Sequence, residues 1–353
     1  MRGDRAGRLA ELLGERELDC VLVSELVNVR YLTGFTGTNG ACVVTPTDRL
    51  FLTDFRYVEQ ARAQVEGFEL LPAGRDLVGD LAERLSGRAG FDDAHMSVKT
   101  HAKLADKVGE GVELVAAGGL VEGLREVKDG DELAAIGAAA ELATAALERT
   151  LERGLAGRTE RAVALDLEAE LRAGGAQDPS FPSIVAAGGH GALPHAEPRE
   201  EQIAQRTLVV IDWGARLEGY CSDCTRTFAT GPLDSEAQET YELVRHAQEQ
   251  ALGAVRAGAE GRAVDAVARD LIDAAGHGEH FGHGLGHGVG LEVHEEPRLT
   301  KTADGTLRVG NVVSVEPGVY LPGRLGVRIE DLVAVTAEGA DVFTSFPKAL
   351  LTV

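Results

Sequence analysis

Apolar and polar positions along the first hundred residues alternate between helical and extended periods. Arg8 to Arg16 has the apolar spacing of an amphipathic helix, and Asp19 to Ser24 (DCVLVS) is a short apolar run that predicts a strand. Asn28 to Gly40 (NVRYLTGFTGTNG) reads as a loop-rich segment. Two further strands, Ala41 to Thr45 and Leu50 to Thr53, precede a helix beginning near Phe55. Alternating strands and helices predict a mixed sheet covered by helices. Between Gly118 and Gly130 the periodicity breaks and charge rises, which sets a domain boundary near residue 122.

Beyond the boundary the pattern repeats itself. A long Ala-rich helix, Asp131 to Arg153, ends at Gly154 and Gly157, and a shorter one, Glu160 to Ala173, ends at Gly174 and Gly175. Thr207 to Gly214 (TLVVIDWG) and Gly219 to Thr227 (GYCSDCTRT) then read as a hairpin. Ser235 with Gln238 suggests a capping box for a helix reaching Ala257 and stopped by Gly258, and another helix runs Ala263 to Ala275. A second hairpin joins Val312 to Gly318 (VVSVEPG) with Val327 to Val333 (VRIEDLV) about the connection Leu321 to Gly326. The order helix, helix, hairpin, helix, helix, hairpin is a pseudo-repeat that predicts a site between its halves.

Each hairpin carries a pair of acids. A connection at Arg216 to Gly219 sets Asp212 opposite Asp223, and the second hairpin sets Glu316 opposite Glu330. Directly opposed residues have Cβ atoms about 5 Å apart, where like charges destabilise the sheet. Acids buried on strands this apolar must be protonated, ion-paired or bound to metal. The segment between the hairpins, FGHGLGHGVGLEVHE (Phe281 to Glu295), adds three histidines spaced by Gly. Imidazole is a common ligand for divalent metals. Four carboxylates and one His suit two fairly hard divalent cations, a pairing that generates a nucleophilic hydroxide. No GxxxxGK[ST] is present and no GxGxxG opens a helix after a strand, which argues against nucleotide binding.

Composition narrows the partners. At 353 residues the chain has room for two domains. A net charge of -22 argues against nucleic acid and against anionic membrane surfaces. The N-terminal stretch carries charge throughout with no apolar core like that of a signal peptide, and nothing approaches a membrane span, so a cytoplasmic location is expected. Cys20, Cys42, Cys221 and Cys224 are too few for a disulfide framework. Cys221 and Cys224 form CSDC, but on a predicted strand rather than at a helix start, so they read as buried small residues beside Asp223.

Five blocks of the second unit, in order, resemble the pita-bread metallopeptidases, specifically the Xaa-Pro aminopeptidase and prolidase branch. They are SFPSIVAAGGHGALPH (Ser180 to His195), VVIDWGARLEGYCSDCTRTF (Val209 to Phe228), GHGLGHGVGLEVHE (Gly282 to Glu295), VEPGVY (Val315 to Tyr320) and GVRIED (Gly326 to Asp331). NVRYLTGFTGTNG and LFLTDFRYVEQA of the first unit resemble a creatinase-type N-terminal domain. The implied fold is α/β (α+β): a creatinase-like α/β domain at 1–122, then a pseudo-symmetric pita-bread catalytic domain at 123–353.

The resemblance implies that Asp212, Asp223, His287, Glu316 and Glu330 hold two divalent metal ions, manganese foremost, with cobalt or zinc as alternatives. Asp223 and Glu330 would bridge, Asp212 would complete one ion's ligands, and His287 with Glu316 the other's. A shared hydroxide would attack the scissile carbonyl, with Glu316 passing its proton to the leaving proline nitrogen. His294 would stabilise the oxyanion, His195 and His283 would shape the proline pocket, and Arg328 would offset the acids' charge. His190, His277 and His280 match no block and read as structural. Where the family often has GxRSALPHG, this chain has GGHGALPHAEP, so the loop beyond His195 differs.

The first function implied is an aminopeptidase acting on peptides with proline second, since the X-Pro bond lacks an N–H and has a fixed φ that general peptidases fit poorly. The second is a prolidase cleaving X-Pro dipeptides, with Arg298 gripping the free carboxylate. A non-catalytic pita-bread module that binds peptides is a third. From the carboxylates alone a dinuclear phosphoesterase also fits. Methionine aminopeptidase is disfavoured because it lacks the N-terminal domain. A homodimer is implied by the resemblance alone.

Overall fold

Contacts along the computed structural model, which describes residues 4–353, divide the chain into two units, Met1–Arg125 and Glu126–Val353. The first holds strands β1 (Cys20–Val23), β2 (Gly40–Val44), β3 (Arg49–Asp54), β4 (Glu69–Ala73), β5 (Arg88–Phe91) and β6 (Glu113–Ala116) in one sheet of order β4-β3-β2-β1-β5-β6. The sheet is mixed: β1 pairs antiparallel with β2 and parallel with β5. Helices α1 (Arg5–Glu15), α2 (Leu26–Thr33), α3 (Val58–Gln64), α4 (Val78–Ala82), α5 (Val98–Ala105) and α6 (Leu120–Arg125) connect and cover it.

Helix α2 lies in the segment read as loop-rich. Its sequence, LVNVRYLT, has β-branched residues and no side-chain cap, so local propensity favours helix only weakly. Tertiary packing decides instead: Val29, Tyr31 and Leu32 are buried, and Asn28 donates to Glu122 of α6 at 2.6 Å. Gly34 ends the helix with φ of 82°, a left-handed conformation that costs glycine little.

In the second unit helices α7 (Gly130–Leu151), α8 (Glu160–Ala173), α9 (Ser235–Ala254) and α10 (Gly261–Ala274) form two pairs. Strands β7 (Asp178–Pro179), β8 (Ile184–Ala187), β9 (Leu208–Trp213), β10 (Ala215–Leu217), β11 (Tyr220–Cys221) and β12 (Cys224–Ala229) accompany the first pair. Strands β13 (Gly286–Gly288), β14 (Glu295–Leu299), β15 (Val312–Val315), β16 (Gly318–Leu321), β17 (Leu325–Arg328), β18 (Asp331–Val335) and β19 (Ala340–Val342) accompany the second. Two of its sheets run β12-β9-β8 and β14-β13-β15-β18-β19.

Each helix pair packs on its own hairpin, which is the physical content of the pseudo-repeat. Leu147, Val163, Leu167 and Leu171 bury against Ile211, Trp213 and Phe228. Val244, Ala247, Val264 and Ala268 share a core with Val313, Val327, Ile329 and Val333. Helix α7 starts with a capping box between Asp129 and Glu132. The cap of α9 is Asp234, whose carboxylate accepts from Ala237 N at 2.9 Å, so the expected Ser235–Gln238 box does not form; Gln238 turns to Leu233 O. A carboxylate one residue earlier accepts the orphan N–H of Ala237 instead of that of Gln238 and suits the positive end of the helix dipole.

Candidate metal centre

The first hairpin turns at Glu218 and Gly219, both with positive φ (49° and 87°), as in a two-residue type I′ turn. The expectation of a longer connection is thereby corrected. With the tighter turn Leu217 pairs with Tyr220, Trp213 with Cys224 and Asp212 with Thr225. Asp223 therefore does not face Asp212 but falls two positions along, between β11 and β12. A shift of two residues preserves the strand face, and oxygens of Asp212, Asp223 and Glu330 all lie within 4.8 Å of one another.

The second hairpin keeps one register on either side of a break. Its ladder runs to Val315↔Asp331 and resumes at Gly318↔Arg328, which sets Glu316 across from Glu330 where pairing lapses. Pro317, without an N–H, cannot extend the ladder there. The freed backbone groups reach outward: Glu316 N donates to Leu285 O at 2.8 Å and Glu330 N to Thr225 O of the first hairpin at 3.1 Å. The break thus ties the second acid pair to the first.

His287 sits on β13 at a bulge. Its Nδ1 lies 3.1 Å from Gly288 O, an acceptor only, so Nδ1 carries the proton and Nε2 presents its lone pair. That Nε2 is 3.2 Å from Glu316 Oε1 and 3.7 Å from Asp223 Oδ2. Gly286 lets the strand approach: a Cβ there would lie 2.0 Å from Ser314 O. Two buried carboxylate oxygens of the cluster, Asp212 Oδ1 and Glu330 Oε1, have no hydrogen-bond partner among the described residues. Their companion oxygens are held, Asp212 Oδ2 by Arg328 Nη2 at 2.7 Å and Glu330 Oε2 by the Thr225 hydroxyl at 2.8 Å.

The electrostatics point the same way. Burial, then the carboxylates around them, push Asp223 and Glu330 well above the ordinary carboxyl range. Burial raises Asp212 against the pull of Arg328. Burial also acts on Glu316, but the neighbouring His287 outweighs it and holds that acid down to about 2. Such a set stays ionised only with added positive charge, and its oxygen-rich donors with one imidazole suit divalent ions of the manganese type. The residues present fit a metal.

Asp212, Asp223, His287 and Glu316 line a cavity of about 460 Å³. Phe181, Pro182, Ile184, Pro194 and Val293 give it apolar walls, and His195, His283, His294 and Arg328 also line it. The His294 ring stands edge-on to His287 with centroids 4.4 Å apart. Burial, then His287 and Arg298, push His294 down to about 4, so its imidazole is neutral at pH 7. His283 donates through Nδ1 to Gly284 O at 2.7 Å, and its Nε2 lies 2.8 Å from the Tyr320 hydroxyl. Burial lowers the pKa of His283 as well.

Arg298 does not line the cavity: it pairs with His287 across the β13–β14 ladder and directs Nε toward Glu296 at 3.4 Å. His190 is buried against Glu160, and His277 and His280 contact each other at 3.3 Å. Three residues of the site were missed in the sequence. The Tyr320 hydroxyl joins His283 to Arg328 Nη1, Thr225 receives Arg328 Nε at 3.0 Å, and Ser314 bonds Glu316 at 3.0 Å. Strand periodicity was the available signal: Thr225 and Ser314 each lie two residues from a ligand candidate, hence on its face. Close by, the turn Gly188–Ala192 and β17 meet backbone to backbone, since a Cβ on Gly326 would lie 1.7 Å from Gly191 O.

Two related helix-and-hairpin halves enclosing a cluster of acids and a histidine are the architecture of the pita-bread metallohydrolases. The chain belongs to metallopeptidase family M24: residues 134–337 match that family, and residues 5–127 match the Creatinase/Prolidase N-terminal domain. It is 40% identical over 348 residues to the uncharacterized peptidase YqhT of Bacillus subtilis, covering 98% of each chain. Among solved structures it is similar to an Xaa-Pro dipeptidase from Bacillus anthracis (TM-score 0.97, 38% identity, 100% of each chain). It is also similar to an X-Pro aminopeptidase from Thermotoga maritima (TM-score 0.91, 34% identity, 99% of this chain and 100% of that one).

Proposed function

We propose that this chain hydrolyses the Xaa-Pro peptide bond and releases the N-terminal residue from peptides with proline second. The strongest support is the buried acid cluster beside a cavity lined both by Asp212, Asp223, His287 and Glu316 and by the apolar Phe181, Pro182, Ile184, Pro194 and Val293. Asp212, Asp223, His287, Glu316 and Glu330 would hold two divalent ions, manganese foremost. When bound, such ions activate water as a nucleophile and polarise the scissile carbonyl. Glu316 accepts the proton of the attacking water and returns it to the proline nitrogen as the bond breaks. His294, neutral at pH 7, donates a hydrogen bond to the carbonyl oxygen as charge develops there. His195 and His283 flank the proline ring, and Arg328 holds Asp212 and balances the acids.

Prolidase activity on dipeptides is the second reading, favoured by the likeness to the dipeptidase of Bacillus anthracis. The guanidinium of Arg298, directed at Glu296 rather than lining the cavity, favours the aminopeptidase. Cleavage of Ala-Pro and Ala-Pro-Ala-Ala by manganese-reconstituted protein separates them, with Glu316→Gln as the inactive control. Alanine release from the longer peptide supports the aminopeptidase. Cleavage of the dipeptide alone makes the protein a prolidase, and no metal-dependent cleavage of either returns the peptide-binding module to the front.

A further inference from the structure

Ser314 is fully buried on β15, two residues before Glu316 and so on the same face of the strand. Its hydroxyl oxygen accepts the backbone N–H of His287 at 3.1 Å, and the hydroxyl donates to Glu316 Oε1 at 3.0 Å. The direction is unambiguous. A backbone N–H can only donate and a carboxylate oxygen here can only accept, so the single hydroxyl proton points at Glu316. The neighbouring β13–β15 ladder pairs Gly288 with Val313, and at the adjacent bulge the His287 N–H takes this hydroxyl as its acceptor.

We infer that Ser314 is a positioning residue that couples His287 to Glu316, fixing both side chains toward the same ion. Glu316 Oε1 also stands 3.2 Å from His287 Nε2, so one hydroxyl locks the backbone of the imidazole and the rotamer of the carboxylate together. Polarised in one sense, the chain from N–H through O–H to carboxylate strengthens along its length. The other half of the fold repeats the device. The Thr225 hydroxyl accepts from Arg328 Nε and donates to Glu330 Oε2, at 3.0 and 2.8 Å. One strand hydroxyl from each hairpin therefore orients one carboxylate of the centre. The assignment rests on the proposed metal centre, not on which peptide is cleaved.

The test is Ser314→Ala in the full chain, titrated with manganese after metal removal, with Ser314→Thr beside it to restore the hydroxyl. Partners of metal ligands typically change affinity or activity by about 10- to 100-fold. For Ser314→Ala a loss of that size is expected in the affinity of one of the two ions, with the other within about threefold of wild type and the metal-free melting temperature within a few degrees. On peptide, kcat falls about as far while KM stays within about threefold, and Ser314→Thr recovers both. Unchanged affinity for both ions in Ser314→Ala, or equal weakening of both, overturns the inference. Because the titration needs no substrate, selective loss of one ion in a protein that cleaves no Xaa-Pro peptide would sustain Ser314 and sink the peptidase reading alone.

Discussion

Arg328 Nη2 lies 2.7 Å from Asp212 Oδ2, while its Nε reaches Thr225, the residue paired with Asp212 across the first hairpin. A residue of the second half thus grips both strands of the first. Its charge stands against a cluster of buried acids, so Arg328→Met should destabilise the metal-free protein by about 3 to 5 kcal/mol, the usual cost of leaving a buried charge without its partner. Manganese should recover part of that loss, because added cations take over the compensation. Thermal melts with chelator and with metal check this. An equal deficit in both would mean Arg328 acts through packing instead.

The raised acids set an unusual pH dependence. Asp223 and Glu330 bind protons more tightly folded than unfolded, so the stability they contribute is present below the ordinary carboxyl range, about pH 4, and is lost as pH rises through their raised values. Metal-free protein should therefore lose stability at this site toward neutral pH. Metal-loaded protein should gain it over the same range, since ligands must be deprotonated to bind. Urea midpoints against pH in the two states measure the difference. Parallel curves would contradict it.

Glu160 provides the opposite sign. Buried, it accepts from Ala187 N at 2.9 Å, Arg199 N at 3.0 Å, the Arg199 side chain and His190, so it braces both ends of the loop that bears His195. Burial acts to raise it, but the bonds from Arg199 and Ala187 prevail and its pKa is lowered. Its contribution is present above the ordinary Glu value and lost as pH falls through the lowered one. Glu160→Gln should cost about 1 to 3 kcal/mol at neutral pH and raise KM for the peptide. Unchanged KM would separate the brace from the pocket.

All four cysteines are free and buried, and burial raises each thiol above its ordinary value. Thiolate is the reactive form. A disulfide-exchange reagent should leave the native protein essentially unmodified over minutes and titrate four thiols once it is unfolded. Rapid native reaction at Cys221 or Cys224 would give the CSDC sequence a chemistry that its strand setting argues against.

Long-period features were legible in the sequence because they follow directly from burial. The two helix pairs, both hairpins and the Glu316–Glu330 opposition came from apolar spacing, and α8 was read to the residue. The Asp212–Asp223 opposition failed on turn chemistry, since Glu218 adopts a left-handed φ that its residue type does not advertise. Helix α2 failed because its stability comes from contacts with α6, nearly a hundred residues away. Tyr320 and Ser314 were missed for a related reason: their hydroxyls matter through partners on other strands, which no local pattern displays.

The contact of Gly191 with Gly326 leaves no room for even one methyl group between the loop leading to His195 and the strand carrying Arg328. Backbones seated that closely fix the spacing of the two segments, since a side chain at Gly326 would force the main chain apart. Change in the cavity would then come by exchanging lining side chains such as Phe181, Ile184 or Val293, leaving this main-chain contact where it is.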